Sequence, residues 1–216
     1  MKYFVLTNSI DPEVCGKYPQ TDHDDYYFDR LDPTNLKELR LNNFLNHEKY
    51  FKRFLSKEAK LTDLLDRCSV SWGLVISAKF KEMLGDFNLP KHRFYPIDVI
   101  KDQCAYQYYW FHFYVDMFDH IDLDISTFEV FSNSDFRIID ERPITSEAYI
   151  RGIQQSLSFE YGIRLKKVYL KPAFPKYDLW QNNIYGLATV ISEKLKLDLE
   201  KNSISGCETK PFRIIM

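Results

Sequence analysis

The feature that most constrains the fold of this chain is a stretch of sequence that recurs at a fixed offset. Residues Asp63 to Pro96 (segment one) reappear without a gap 115 positions later as Asp178 to Pro211 (segment two). The identical positions are Asp63-Leu64 with Asp178-Leu179, Val75-Ile76-Ser77 with Val190-Ile191-Ser192, Lys79 and Lys81 with Lys194 and Lys196, Leu84 with Leu199, and Pro96 with Pro211. Because an ungapped offset keeps every apolar position in phase, we expect both segments to build the same supersecondary unit.

The pattern within each segment predicts a strand, a helix and a second strand. Ser77 follows a short aliphatic run and is suited to cap a helix, because its hydroxyl can accept hydrogen bonds from the free amides of the first turn. Ser192 occupies the same place in segment two. We therefore predict two pseudo-repeated strand-helix-strand units, at residues 63–100 and 178–215, inside a single domain that spans residues 1–216.

The remaining elements do not alternate regularly between strand and helix. Strands are predicted at Tyr3–Leu6, Tyr106–Val115, His120–Ser126, Phe136–Ile139 and Leu165–Leu170, and helical regions from Thr34 or Asn35 to Leu65 and from Thr145 or Ser146 to Leu157. The run Tyr106–Val115 is aromatic on both faces, which is typical of a central strand. This order favours an α+β fold, with a mainly antiparallel sheet and packed helices, over a doubly wound one.

The charge and the apolar pattern make several partner classes unattractive. The net charge of −2 exerts no general pull on nucleic acid, and the aromatic run Tyr106–Val115 has no lysine or arginine to accompany base stacking. No stretch approaches the roughly 20 apolar residues of a membrane span. The four cysteines are scattered without metal-ligand spacing. We expect a cytoplasmic protein that does not bind nucleic acid or membrane and needs no cofactor.

The sequence offers weak candidates for catalysis. Asp63 and Asp178 would form a pseudo-symmetric acid/base pair if they met in space, but the simpler expectation is that each accepts hydrogen bonds from backbone amides. Dinucleotide, P-loop, zinc-protease and serine-hydrolase motifs are absent. We predict no catalytic residues.

One acidic cluster keeps a metal-assisted hydrolase open as the alternative. Its members carry the oxygen and nitrogen ligands that metal ions prefer, and they are Asp116, Asp119, His120, Asp122 and Asp124, with His112 nearby. Asp122 and Asp124 also fall on the polar face of an alternating pattern, which a solvated strand explains without an ion.

Two loops indicate a protein partner instead. The acidic, tyrosine-bearing loop contributes Asp22, Asp24, Asp25, Tyr26 and Tyr27, and an aromatic loop contributes Tyr177 and Trp180. Carboxylates beside rigid aromatic rings suit a basic partner surface. The alternative is that the rings of both loops fold back onto the core.

The segment-two motifs also resemble a known family. Asp178-Leu179-Trp180, the strand Thr189-Val190-Ile191-Ser192, the helix start Glu193-Lys194-Leu195 and the step Ile204-Ser205-Gly206 are similar to immunity proteins of bacterial polymorphic toxin systems, a group long catalogued as a domain of unknown function. The opening Met1–Leu6 and the aspartate-rich stretch Asp119–Phe128 look similar too. The resemblance implies a non-enzymatic protein that binds and neutralises a cognate toxin domain.

Overall fold

The computed structural model describes residues 2–21, 44, 51–66, 73–156, 158–182 and 188–212. In chain order the elements are β1 (Tyr3–Asn8), α1 (Pro12–Cys15), β2 (Phe51–Phe54), β3 (Leu64–Leu65), β4 (Leu74–Ser77), α2 (Ala78–Met83), β5 (Lys91–Lys101), β6 (Cys104–Tyr114), β7 (Thr127–Ser132), β8 (Ile138–Pro143), α3 (Glu147–Ser156), β9 (Tyr161–Lys167), β10 (Leu179–Asn182), β11 (Ala188–Ser192), α4 (Glu193–Lys201) and β12 (Cys207–Pro211).

The strands in these ranges form three sheets. Their orders are β10-β11-β1-β12, β3-β4-β6-β5-β2 and β8-β7-β9. Neighbouring strands run antiparallel, except that β2 lies parallel to β5. The predicted α+β class with mainly antiparallel strands is confirmed, and the aromatic strand β6 lies inside its sheet as expected.

The two segments place their strands in the same order in the first two sheets. In each sheet a strand from outside the segment lies between the segment's two longer strands: β6 separates β4 from β5, and β1 separates β11 from β12. Tyr109 of β6 lies opposite Ile76 and Pro96. Phe4 of β1 lies opposite Ile191 and Pro211, the positions that correspond to them.

Serine hydroxyls begin both segment helices, as the sequence predicts. The Ser77 hydroxyl accepts from the Phe80 amide at 3.2 Å, and the Ser192 hydroxyl accepts from the Leu195 amide at 3.1 Å. Each serine has extended backbone dihedrals, which an N-cap requires. The local sequence therefore fixes where α2 and α4 begin.

The two segments bury their apolar residues in one shared core. Phe80 of α2 and Leu195 of α4 are both fully buried in it. Its other buried members are Leu6, Leu64, Leu74, Ile76, Leu84, Phe111, Phe113, Leu179, Ile191, Leu199 and Ile204. Burial of this continuous apolar surface is the main force that holds the first two sheets together.

A second core lies on the other face of the β10-β11-β1-β12 sheet. Tyr3, Trp180 and Val190 project to this side, and the third sheet contributes Phe128 and Val130. Ile150 and Ile153 of α3 pack into the same cluster. The sheet that contains β1 is therefore covered by apolar side chains on both faces.

The predicted helical region before Leu65 is wrong where the structure describes it. Phe51–Phe54 is strand β2, paired with β5, and Leu64–Leu65 is strand β3. Apolar residues at three- and four-residue spacing suggested a helix, but pairing with the long β5 edge satisfies the backbone instead. Residues 34–43 and 45–50 of this prediction lie outside the described residues.

The predicted strand at His120–Ser126 is also wrong. Only Ile121 makes a bridge, to Leu170, and β7 begins at Thr127. The Asp122 carboxylate accepts from the Asp124 amide at 3.2 Å, and the Asp122 carbonyl accepts from the Ser126 amide at 3.2 Å. These local hydrogen bonds favour a turn over an extended strand.

Candidate partner-binding site

The two aspartates that begin the segments do not form an acid/base pair with each other. Asp63 accepts from the Ser77 hydroxyl at 2.6 Å, and Asp178 accepts from the Ser192 hydroxyl at 2.6 Å. In both cases the serine amide also donates to the aspartate carbonyl at 2.8 Å. Each aspartate thus fixes the cap of its own helix.

The second carboxylate oxygen of each aspartate reaches the other segment. Asp63 accepts from the amide and hydroxyl of Ser205, both at 2.9 Å, in the loop after α4. Asp178 accepts from the amide of Asn88 at 2.9 Å, in the loop after α2. The expected acceptance from backbone amides is confirmed, and the amides belong to the opposite segment.

Asp63 is held in its ionised form. Partial burial by itself raises its pKa, but hydrogen bonds from the Ser205 amide and from the Ser77 and Ser205 hydroxyls, together with Lys79, hold the pKa below 3.8. A carboxylate with a lowered pKa is a poor proton donor at neutral pH. These contacts join the two segments and supply no acid/base chemistry.

Two aspartates of the acidic cluster, Asp116 and Asp122, are engaged in local structure. Asp116 accepts from the Phe118 amide at 3.0 Å to cap a short 3-10 turn, and Asp122 shapes the turn before β7. His112 is buried in β6, where it stacks on Trp110 at a ring distance of 5.1 Å. Across the parts of the chain that the structure describes, no three His, Cys, Asp or Glu side chains converge on a common metal position.

The Cys207 thiol has little nucleophilic character. Burial, followed by the nearby charges of Asp63 and Glu208, raises the pKa of Cys207 to about 11. Because the thiolate is the reactive form, this cysteine is almost entirely protonated at neutral pH.

The structure describes two of the seven predicted partner-binding residues. Asp22, Asp24, Asp25, Tyr26 and Tyr27 lie outside the described residues. Trp180 lies in strand β10 and not in the predicted aromatic loop, and it is buried and packs edge-on against Tyr3 and Phe174, each at 6.1 Å. Tyr177 is half-buried and contacts Phe174 at a ring distance of 5.6 Å. The Trp180 ring therefore belongs to the core, and Tyr177 keeps part of its surface accessible.

Several exposed large apolar side chains belong to the third sheet and its loops. Phe159 and Phe136 are 103% and 65% exposed, and Ile138 and Ile139 of β8 are close to half exposed. Ile125, Tyr149 and Tyr161 add further exposed apolar surface in the same part of the chain. We call Phe136, Ile138, Ile139 and Phe159 the β8 patch. Exposed large apolar side chains that lie close together are typical of protein interaction sites.

Charged side chains of the third sheet form ion pairs with one another. Lys166 pairs with Glu141 at 2.6 Å, and Arg164 pairs with Glu129. The hydrogen bond from Lys166, followed by one from Thr127, lowers the pKa of Glu141. The sheet therefore presents apolar surface beside paired charges.

Sequence reasoning missed the β8 patch, although one signal was present. Two consecutive aliphatic residues in a strand point to opposite faces, so Ile138 and Ile139 cannot share one buried face. Pro143 at the end of β8 also suits an edge strand, because proline cannot donate to a ladder. In the described sheet β8 is indeed an edge strand.

The chain matches the model of one known family. A family model described as an immunity protein family, Imm11, matches residues 7–213. No curated protein matches the chain at a significant level. Within the ranges that the structure covers, every helix is too short or too polar to span a bilayer.

Proposed function

The chain belongs to the Imm11 immunity protein family, and from this premise we propose that it binds and neutralises a cognate bacterial toxin domain in the cytoplasm. It blocks the active site or the substrate groove of the toxin by binding there, and it performs no chemical step of its own. The observation that carries this proposal is the family match across residues 7–213. The structural roles of Asp63, Asp178 and Asp116 support a binding protein, because each is engaged in holding the fold.

Two surfaces are proposed for the toxin contact. The first is the loop that contains Asp22, Asp24, Asp25, Tyr26 and Tyr27, whose charge and rings suit a basic active-site groove. Half-buried Tyr177 is assigned to the same function. The second is the β8 patch, where burial of exposed aliphatic and aromatic side chains supplies the affinity of a typical interface.

Co-expression tests the proposed function. Cells that produce the toxin domain encoded beside this protein should survive when this protein is present and die when it is absent. A purified mixture should also yield a stable complex with the toxin. If survival and toxin activity are the same with and without this protein, the proposed function is wrong.

Surface variants decide which of the two proposed surfaces is used. Ile138→Asp places a charge in the β8 patch, and Leu197→Asp on α4 is its matched control because Leu197 is also well exposed. If the patch is buried by the toxin, Ile138→Asp should weaken the complex about a hundredfold or more, as is common at interface hot spots. A Tyr26→Ala/Tyr27→Ala double variant tests the acidic loop. If toxin affinity is lost in only one of these two variants, the surface that carries that variant is the one that contacts the toxin.

A further inference from the structure

A groove runs between α2 and the β5–β6 hairpin, on the surface of segment one. Its volume is about 410 Å³. The floor and walls are mainly apolar and aromatic, with contributions from Leu84, Phe87, Leu89, Phe94 and Tyr109. Lys81, Glu82 and His92 are the polar side chains that line it. A groove of this kind, with a few polar groups on an apolar surface, is typical of a binding site.

Lys81 supplies the charge inside the groove. Its side chain is half-buried, and its ammonium lies 3.8 Å from the centre of the Tyr109 ring and 5.4 Å from that of Phe94. Among the residues that the structure describes, Lys81 has no carboxylate partner. Glu82 is exposed at the rim, so the charge directed over the aromatic surface is positive. Ring faces stabilise the ammonium in part, and an anion would stabilise it further.

Segment two shows what the same lysine does when it has an anion. Lys196 corresponds to Lys81, and its ammonium lies 5.4 Å from the ring of Phe4, which occupies the place of Tyr109 in its sheet. Lys196 also pairs with Glu200 at 2.6 Å, four residues along α4. The position that corresponds to Glu200 in segment one is Gly85, which has no side chain. Lys196 is thus neutralised from within α4, whereas Lys81 has no such partner in the described part of the chain and is available for an external anion.

The aromatic residues that line the groove in segment one are also replaced by smaller residues in segment two. Phe94 and His92 stand where segment two has Thr209 and Cys207. Phe94 stacks on Phe111 at 4.7 Å, and the His92 ring meets Phe94 edge-on at 5.3 Å. Segment one therefore has an aromatic platform beside Lys81.

We propose that this groove binds a segment of a partner protein in which an aromatic or aliphatic side chain stands next to a carboxylate. The carboxylate pairs with Lys81, as Glu200 pairs with Lys196, and the apolar side chain lies against Phe94 and Tyr109. Identification of that partner as the cognate toxin rests on the proposed function. The charge and the aromatic platform of the groove are independent of it.

Substitutions at Gly85 test the role of Lys81 in the toxin complex. A Cβ at Gly85 meets no atom within 4 Å, and its φ is not in the left-handed region, so side chains are tolerated there. Gly85→Glu supplies an internal carboxylate to Lys81, and Gly85→Gln fills the same space without charge. We expect Gly85→Glu to bind the toxin at least about tenfold more weakly than Gly85→Gln, because it competes for a partly buried ion pair. Equal affinities of the two variants would overturn the proposal.

A peptide probe tests the groove without the toxin. The peptide acetyl-Asp-Phe-Asp-amide should shift the backbone amide NMR signals of Lys81, Gly85 and Phe94, and acetyl-Asn-Phe-Asn-amide should shift them much less. Lys81→Met retains the alkyl body of the side chain and should abolish the difference between the peptides. If neither peptide perturbs these signals, or both do so equally, the groove proposal is wrong. Failure of the wild-type protein to protect cells would instead contradict the proposed function and leave this peptide result to decide the groove.

Discussion

Segment one and segment two place their strands and helices in the same order and differ in what they expose. Both begin with an aspartate that fixes a serine cap and reaches the loop after the other segment's helix. The lysines behave alike as well: Lys79 donates to the Ser203 carbonyl and Lys194 to the Asp86 carbonyl, both at 3.1 Å. Beside α2 an open groove accompanies Lys81, which has no carboxylate partner within the described residues, whereas Lys196 of α4 pairs with Glu200. The shared aspartates, serines and Lys79 with Lys194 hold the structure, whereas Lys81 and the unshared residues around it are candidates for binding.

This comparison also supports a proposal about the whole chain. We propose that residues 1–216 form one domain on an internal pseudo-repeat, at residues 63–100 and 178–215. In that case α2 and α4 should unfold together, because their apolar faces share one core. Two separate unfolding transitions would contradict it.

The largest effects are expected from cavities in the shared core. Phe80→Ala and Leu195→Ala remove fully buried side chains at corresponding positions. Each should lower the free energy of unfolding by about 3–5 and about 2–5 kcal/mol, respectively, because buried contacts are lost and a cavity remains. Urea denaturation measures both values. A loss below about 1 kcal/mol for one variant alone would show that its segment is marginal to the core.

The aspartate contacts should differ in strength between the segments. Asp178 is buried, whereas Asp63 is half-buried. Asp178→Ala should cost about 2–3 kcal/mol, because the Ser192 hydroxyl and the Asn88 amide lose their acceptor away from water. Asp63→Ala should cost less, about 1–2 kcal/mol, since water can replace part of the lost contact. The reverse order in urea denaturation would contradict this assignment.

Acid should weaken the contact that Asp63 makes. Its folded-state pKa lies below the ordinary value of 3.8, so the ionised carboxylate favours the native state. This contribution is complete above pH 3.8 and is lost as the pH falls through the folded pKa. Asp63→Asn should therefore flatten the decline of stability below pH 4, measured by thermal melts. An unchanged decline in this variant would show that other carboxylates account for it.

The smallest effect is expected from the Lys196–Glu200 ion pair. Glu200→Gln should lower the free energy of unfolding by about 0.3–0.5 kcal/mol, the usual contribution of such a pair on a helix surface. Lys81→Met should show no comparable salt-dependent loss, because Lys81 has no ion pair among the described residues. Equal losses, both abolished by high salt, would remove the distinction between the two lysines.

Local sequence signals predicted some of these features correctly. Serine caps, the strand β1, the aromatic strand β6 and the helix after Ser146 follow from nearby residues alone, because capping and periodicity act over a few positions. The same reasoning failed at β2, where a helix-like apolar spacing pairs with a strand more than 40 residues away. The sequence predicts Trp180 in a partner-binding loop, yet it lies in β10, where packing against Tyr3 buries it.

The sequence alone predicted matched strand-helix-strand elements in the two segments, since an ungapped offset preserves their apolar phase and their caps. It also determined that their aspartates would accept hydrogen bonds from backbone amides. Only the tertiary structure decided which amides, because Ser205 and Asn88 belong to the opposite segments and come close through packing of the shared core. The tertiary structure also placed Lys81 and Lys196 over aromatic rings. Because both lysines are held in this way, the replacement of Glu200 by Gly85 at the corresponding position changes which lysine meets a carboxylate.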